Sequence, residues 1–236
     1  MNKPAITALI TIQKATNSEL SDAHLKDFGG KPLFSLMVDK LLSVANIERV
    51  VITTDTDLVK KLYGGNNRIS IIDFPAPVKF SKDSNERILQ DMPTSDIFTA
   101  NSLEKIGGEH FMQTQCINPL LSVQTIEAAI DRYHQYVLND EYQQFDSVMS
   151  LSRIEKRLYD AGNYPLITLR NDPHFVIFED TVFNLFNRTA FVRNKKQKFG
   201  KNPMFFEVPE MENLSVETTA GYKLAKLAYG HKDELL

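Results

Sequence analysis

The chain has 236 residues, 42% hydrophobic and 24% charged, with a formal charge of −3. That length suits one large α/β domain, and the composition excludes collagen, coiled-coil and disordered classes. A net negative charge argues against a sequence-independent nucleic-acid binder, which needs a basic face to neutralise phosphates.

Ala5–Ile12 is rich in β-branched residues and apolar on both faces, as a parallel strand covered on both sides requires. Its apolar run is far shorter than a membrane helix needs, and no leader pattern precedes it, so the expectation is a cytoplasmic protein with no membrane partner. A helix is expected from Leu33 to Ala45, opened by Pro32, with Leu33, Leu36, Met37, Leu41 and Val44 on one face. Arg49–Asp55 reads as a second buried strand. Asp57 is placed to cap a helix over Leu58–Tyr63, and strand–helix–strand implies a right-handed parallel crossover.

A third strand is read over Ile69–Asp73, followed by weak helical patterns at Asn85–Gln90 and Ser102–Ile106. His110–Gln115 reads as a strand leading into Asn118-Pro119-Leu120-Leu121 and a helix over Val123–Leu138. Strands follow at Asp146–Leu151, Val176–Phe178, Val182–Phe186 and Met204–Val208, and a helix over Thr218–Tyr229 closes the pattern. The run Arg193–Lys201 reads as a solvated basic loop. Cys116, the one cysteine, reads as a small buried hydrophobe in a reducing compartment. The alternation predicts one α/β domain over 1–236, a doubly wound, mostly parallel sheet with helices on both faces. Ligands of such sheets bind outside the carboxyl ends of the strands, which directs attention to Gln13–Asp27, to Asp55 and to Gln115–Leu121.

Several segments, taken in order, carry a resemblance. They are the opening strand, Leu25-Lys26-Asp27-Phe28-Gly29-Gly30-Lys31-Pro32-Leu33, Arg49-Val50-Val51-Ile52-Thr53-Thr54-Asp55, Gln115-Cys116-Ile117-Asn118-Pro119-Leu120-Leu121, Asp146–Leu151 with Arg157–Asp160, and Phe199–Glu207. Together they resemble, nearly end to end, the acylneuraminate (CMP-sialic acid synthetase-like) cytidylyltransferases. The resemblance implies a nucleotide-diphospho-sugar transferase-like fold, a homodimer, and transfer of CMP from CTP to a sialic-acid-like or related 2-keto sugar acid with release of pyrophosphate.

Carried over residue by residue, it implies that Lys14, Asn17, Ser18, His24 and Asp55 bind the nucleotide. Lys14 and Gln115 would be the catalytic positions, and Gln115 and Asn118 would bind the sugar acid; Arg157 and Arg188 are candidates for the same acid on charge alone, as guanidinium partners for its carboxylate. Glu217 would hold Mg²⁺. The chain also departs from the pattern. Lys14, Asn17 and Ser18 stand where the family carries Arg, Ser and Lys; Ala23-His24 replaces a Lys-Asn pair, and Ser215-Val216-Glu217 replaces an Asp-x-Asp metal segment. These departures leave open an alternative, a non-catalytic homologue that acts as a binding or assembly partner in sugar-polymer biosynthesis.

Overall fold

The computed structural model describes residues 3–13, 22–74, 94–142, 144–154, 162 and 176–235. Its strands are β1 (Ile6–Ile12), β2 (Ile47–Thr54), β3 (Ile69–Asp73), β4 (His110–Thr114), β5 (Ser147–Ile154), β6 (Val176–Asn187) and β7 (Pro203–Glu207). They form one seven-stranded sheet in the order β3-β2-β1-β4-β6-β5-β7. β1 pairs in parallel with β2 and β4, β2 with β3, and β5 with β7, while β6 runs antiparallel to β4 and β5. The mostly parallel α/β architecture expected from the alternation is the observed one.

Helices α1 (Leu33–Ser43), α2 (Asp57–Tyr63), α3 (Thr94–Lys105), α4 (Val123–Tyr133), α5 (Arg188–Arg193), α6 (Thr219–Gly230) and α7 (Lys232–Leu235) accompany the sheet, with a short 3₁₀ turn at Ala23–Leu25. Ile6, Ala8, Ile10 and Ile12 of β1 and Val50 and Ile52 of β2 meet Phe34, Met37 and Leu41 of α1 and Ile126, Ala129 and Ile130 of α4. The alternate residues Leu9 and Val51 turn to the other face, where they join Phe111, Phe186, Leu103 of α3 and Phe191 of α5. Burial on both faces is why the strands read as continuous apolar runs.

Several local expectations shift. Thr56, not Asp57, caps α2, its hydroxyl accepting from the Leu58 amide at 3.4 Å, and Asp57 becomes the first helical residue. Pro32 stands just outside α1, in extended conformation. The α4 pattern changes to a π turn at His134–Leu138. The two short strands expected around Val176–Phe186 are one strand, β6. Its middle is held by Asp180, which accepts from the Ser150 and Ser152 hydroxyls of β5 at 2.5 and 3.0 Å, beside a register shift between Met149 and Leu151.

The basic run is not uniformly solvated. Lys198 is 3% exposed, pairs with the fully buried Asp96 at 3.3 Å and lies over the Phe199 ring. Burial pushes the Asp96 carboxyl up and Lys198 opposes it. Cys116 is buried, and burial pushes its thiol up to about 12, which fits the inert reading. Asn85–Gln90 lies outside the described residues.

Candidate functional site

β1, β2 and β4 run in the same direction, so the segments after Ile12, Thr54 and Thr114 emerge at one edge of the sheet. After β2, the Thr54 hydroxyl accepts from the Thr56 amide at 3.1 Å and Thr56 caps α2. Asp55 is thereby fixed in a turn between two anchored threonines, exposed at the carboxyl end. The segment entering α1 folds back on itself. Asp27 bridges Pro32, and the Phe28 amide donates to the Lys31 carbonyl at 2.8 Å. Gly29 and Gly30 make that reversal with φ of 69° and 90°. A Cβ on Gly29 would stand 2.9 Å from the Tyr229 ring, so the glycine also permits close contact with α6.

His24 lies in the 3₁₀ turn, 9% exposed, and its Nε2 is buried with no hydrogen-bond partner among the described residues. Burial pulls the imidazole below its ordinary range, against the upward pull of Asp22 and Asp55. The third loop follows β4. The Thr114 hydroxyl donates to the Val182 carbonyl at 2.8 Å, tying the strand end to β6, and Gln115 follows half-buried.

Beyond it, the chain is stitched to the segment before α6. The Val216 amide donates to the Ile117 carbonyl at 3.0 Å. The Asn118 amide donates to the Asn213 carbonyl at 3.2 Å, and the Glu212 carboxylate accepts from the Ser122 amide at 2.9 Å. Glu217 is therefore carried to the same edge, exposed, with the Ser215 hydroxyl donating to it at 3.3 Å. One apolar seam unites these loops: Ala23, Phe28, Leu33, Leu36, Val216 and Ala225, with Ile117, Leu214, Tyr222 and Tyr229 against them.

His24, Asp55, Gln115, Asn118 and Glu217 therefore converge on the carboxyl edge. Asn118 is 2% exposed, and its side-chain amide donates to the Asn213 carbonyl, so it braces the loop. Arg188 needs correction. It follows Asn187, which pairs with His110 at the amino end of β4, the edge opposite the convergence. Its guanidinium donates to the carbonyls of Leu103, Ile106 and Gly108 at 2.8–2.9 Å. Those bonds tie down the end of α3, away from the edge where the other candidate residues gather.

Lys14, Asn17, Ser18 and Arg157 lie outside the described residues. Among the described residues no group of three or more His, Cys, Asp or Glu side chains is placed to hold a metal. Sequence reasoning passed over Glu212 and Asp22. Glu212 accepts from the amide of Ser122, the N-cap of α4 ninety positions earlier in the chain, for which there is no local signal. Asp22, two residues before His24, was visible as a neighbouring charge.

A cytidylyltransferase family model matches residues 18–164, more than half of the chain. The protein belongs to the cytidylyltransferase family. No curated protein sequence matches it. Among solved structures it is similar to CMP:2-keto-3-deoxy-manno-octonic acid synthetase complexed with CTP. That pair has a TM-score of 0.67 and 13% identity, covering 97% of this chain and 99% of the other. It is also similar to 4-diphosphocytidyl-2C-methyl-D-erythritol synthase from Anaerococcus prevotii, with a TM-score of 0.65, 13% identity and 97% of each chain covered. At such identities the likeness bears on the fold, and this cytidylyltransferase's chemistry must be argued from its own residues. No helix among the described residues is long and apolar enough to cross a membrane.

Proposed function

We propose that the protein transfers CMP from CTP to a sialic-acid-like or related 2-keto sugar acid, releasing pyrophosphate. The observation that carries this reading is the convergence of three separate loops, bearing His24, Gln115 and Glu217, held by the Val216–Ile117 hydrogen bond and the seam around Phe28 and Val216. In such a transfer a sugar hydroxyl attacks the α-phosphorus, an O–P bond forms as the bond to the β-phosphate oxygen breaks, and the hydroxyl proton passes to solvent. The protein's task is to hold the reactants in line and offset developing charge.

Lys14 faces the phosphates in this reading, and Asn17 and Ser18 donate hydrogen bonds to them. Asp55 shapes the ribose side. Gln115, with a donor and an acceptor on one side chain, orients the polyhydroxylated acid, and Arg157 offsets its carboxylate. Mg²⁺ is a hard cation commonly held by one or two carboxylates together with substrate phosphates and water. The exposed carboxylate of Glu217, beside the Ser215 hydroxyl, fits that donor set. Bound there, the ion would neutralise charge developing on the phosphates. The protein would work as a homodimer in the cytoplasm.

One observation favours a second reading, a non-catalytic homologue serving as an assembly partner. Ser215 stands in place of one metal carboxylate and spends its hydroxyl on the other. Incubation with CTP, Mg²⁺ and a panel of 2-keto sugar acids, following pyrophosphate release, separates the two. Release with one acid and none with CTP alone is the expected result. CTP binding without release across the panel would overturn the transferase in favour of the second reading.

A further inference from the structure

His24 is about nine-tenths buried, and its Nε2 is buried without a partner among the described residues. A buried polar atom left unpaired costs on the order of 1–3 kcal/mol. Such atoms in a folded protein call for an explanation, and at the ligand-binding edge of an α/β sheet a ligand group is one. The surroundings narrow its chemistry. Asp22 and Asp55 are both near enough to pull on the ring's proton, yet burial prevails and favours the uncharged imidazole.

A triphosphate brought to this spot would meet two carboxylates and no compensating charge from the ring. Like charges at such range are repulsive, and more so where water is excluded. The edge of a nucleobase or a ribose hydroxyl meets no such penalty. Each is neutral, each offers donors and acceptors, and an uncharged imidazole provides one of each.

We propose that His24 hydrogen-bonds the nucleoside half of the bound nucleotide, not its phosphates, and thereby takes part in choosing the base. This rests on the nucleotidyl-transfer reading above. It reassigns His24 within that site: the position replaces a family asparagine beside a lysine, and the lysine's phosphate role does not pass to it.

The test is titration calorimetry with CTP, CMP, UTP and inorganic tripolyphosphate, on the wild type, His24→Phe and His24→Asn. His24→Phe fills a similar volume without hydrogen-bonding atoms, and His24→Asn restores a donor and an acceptor. His24→Phe is expected to weaken CTP and CMP about tenfold and to narrow the preference for CTP over UTP. Tripolyphosphate affinity should stay within about twofold of wild type, and His24→Asn should recover most of the loss. Equal losses for CTP and tripolyphosphate, or no loss for CTP, would overturn the assignment. Should His24→Phe fold poorly, the imidazole ¹⁵N resonances of wild-type His24 decide. They are expected to move with CMP and not with tripolyphosphate, and the reverse pattern refutes the proposal. A wild type that binds tripolyphosphate but no nucleotide brings down the transferase reading and this assignment together, whereas nucleotide binding indifferent to His24 removes the assignment alone.

Discussion

Arg188→Met separates a structural arginine from a substrate-binding one. The guanidinium donates at 2.8 Å to the Leu103 carbonyl in the last turn of α3, and at 2.9 Å to the Ile106 and Gly108 carbonyls just beyond it. It also lies 5.1 Å from the centre of the Phe111 ring. Carbonyls at a helix end lack intrahelical partners, and a cation there complements the helix dipole. Hydrogen bonds to a charged donor contribute about 1.5–3 kcal/mol each, but these share one side chain, one of them is exposed, and water can replace part of them. Methionine keeps the apolar stem over Phe111. The expected loss is therefore about 3 kcal/mol, well short of the pairwise sum. For a chain of this length that lowers Tm by roughly 6–12 °C. Thermal melts by circular dichroism read the loss, and steady-state kinetics read the site. KM for the sugar acid is expected to stay unchanged at temperatures where the variant is folded. A Tm within about 2 °C of wild type together with a raised KM would refute the structural placement and return Arg188 to the substrate.

Gly200 holds a φ of 68°, and a Cβ there would fall 1.9 Å from Asp146 Oδ1, so Gly200→Ala must displace the carboxylate that accepts from the Lys201 and Asn202 amides. A loss of about 2–4 kcal/mol is expected in urea unfolding, and an unchanged midpoint would count against that geometry. Lys40 donates to the Pro119 carbonyl at 2.6 Å, and burial brings its amine down to about 8, with Glu212 pulling upward and Lys232 and Lys31 pushing further down. Its folded pKa lies below the unfolded value near 10.4, so the unfolded chain holds the proton longer and this residue's contribution to stability rises with pH from about 8 to about 10.5. Urea midpoints of wild type and Lys40→Met at pH 7.5 and 9.5 should diverge in favour of wild type at the higher pH, and parallel midpoints would dismiss the buried charge. Glu217→Gln is expected to abolish most of the Mg²⁺ enhancement of CTP affinity in calorimetry while leaving metal-free binding intact, and an undiminished Mg²⁺ effect would place the metal elsewhere.

The parallel half of the sheet was legible because β1 and β2 are buried on both faces, leaving largely apolar runs rich in β-branched residues over Ala5–Ile12 and Arg49–Thr54. β6 was not, because Glu179-Asp180-Thr181 interrupts its apolar pattern. The strand continues through them because Asp180 is satisfied by Ser150 and Ser152 of β5, partners about thirty positions away. α3 was caught only at its end for a related reason. Asp96, Thr99 and Ser102 are buried there, with Asp96 paired to Lys198 and Ser102 bonded to Thr53, so polar residues occupy places where a helical period expects apolar ones. The site divides the same way. His24, Gln115 and Glu217 were found through the family pattern and fall at one edge. Arg188 was offered for its charge alone, and charge does not say which edge of the sheet a residue will occupy.

The matches and the departures occupy different physical positions. Asn118 braces Asn213, Gly29 clears Tyr229, and Gly200 clears Asp146, so these motif residues hold the loops whatever chemistry follows. The changes fall instead on groups that would touch the nucleotide or its metal: Lys14 to Ser18, Ala23-His24 and Ser215. A chain that needs only its shape has no use for a buried His24 whose Nε2 finds no partner among the described residues, since an apolar side chain there would remove the cost. That cost favours a working nucleotide site whose contacts are redistributed, with fewer charges on the phosphates and a new polar contact on the nucleoside. The tripolyphosphate comparison bears on both halves. Weak tripolyphosphate binding beside firm, base-selective CTP binding fits redistribution, and failure of both fits a site that has been abandoned.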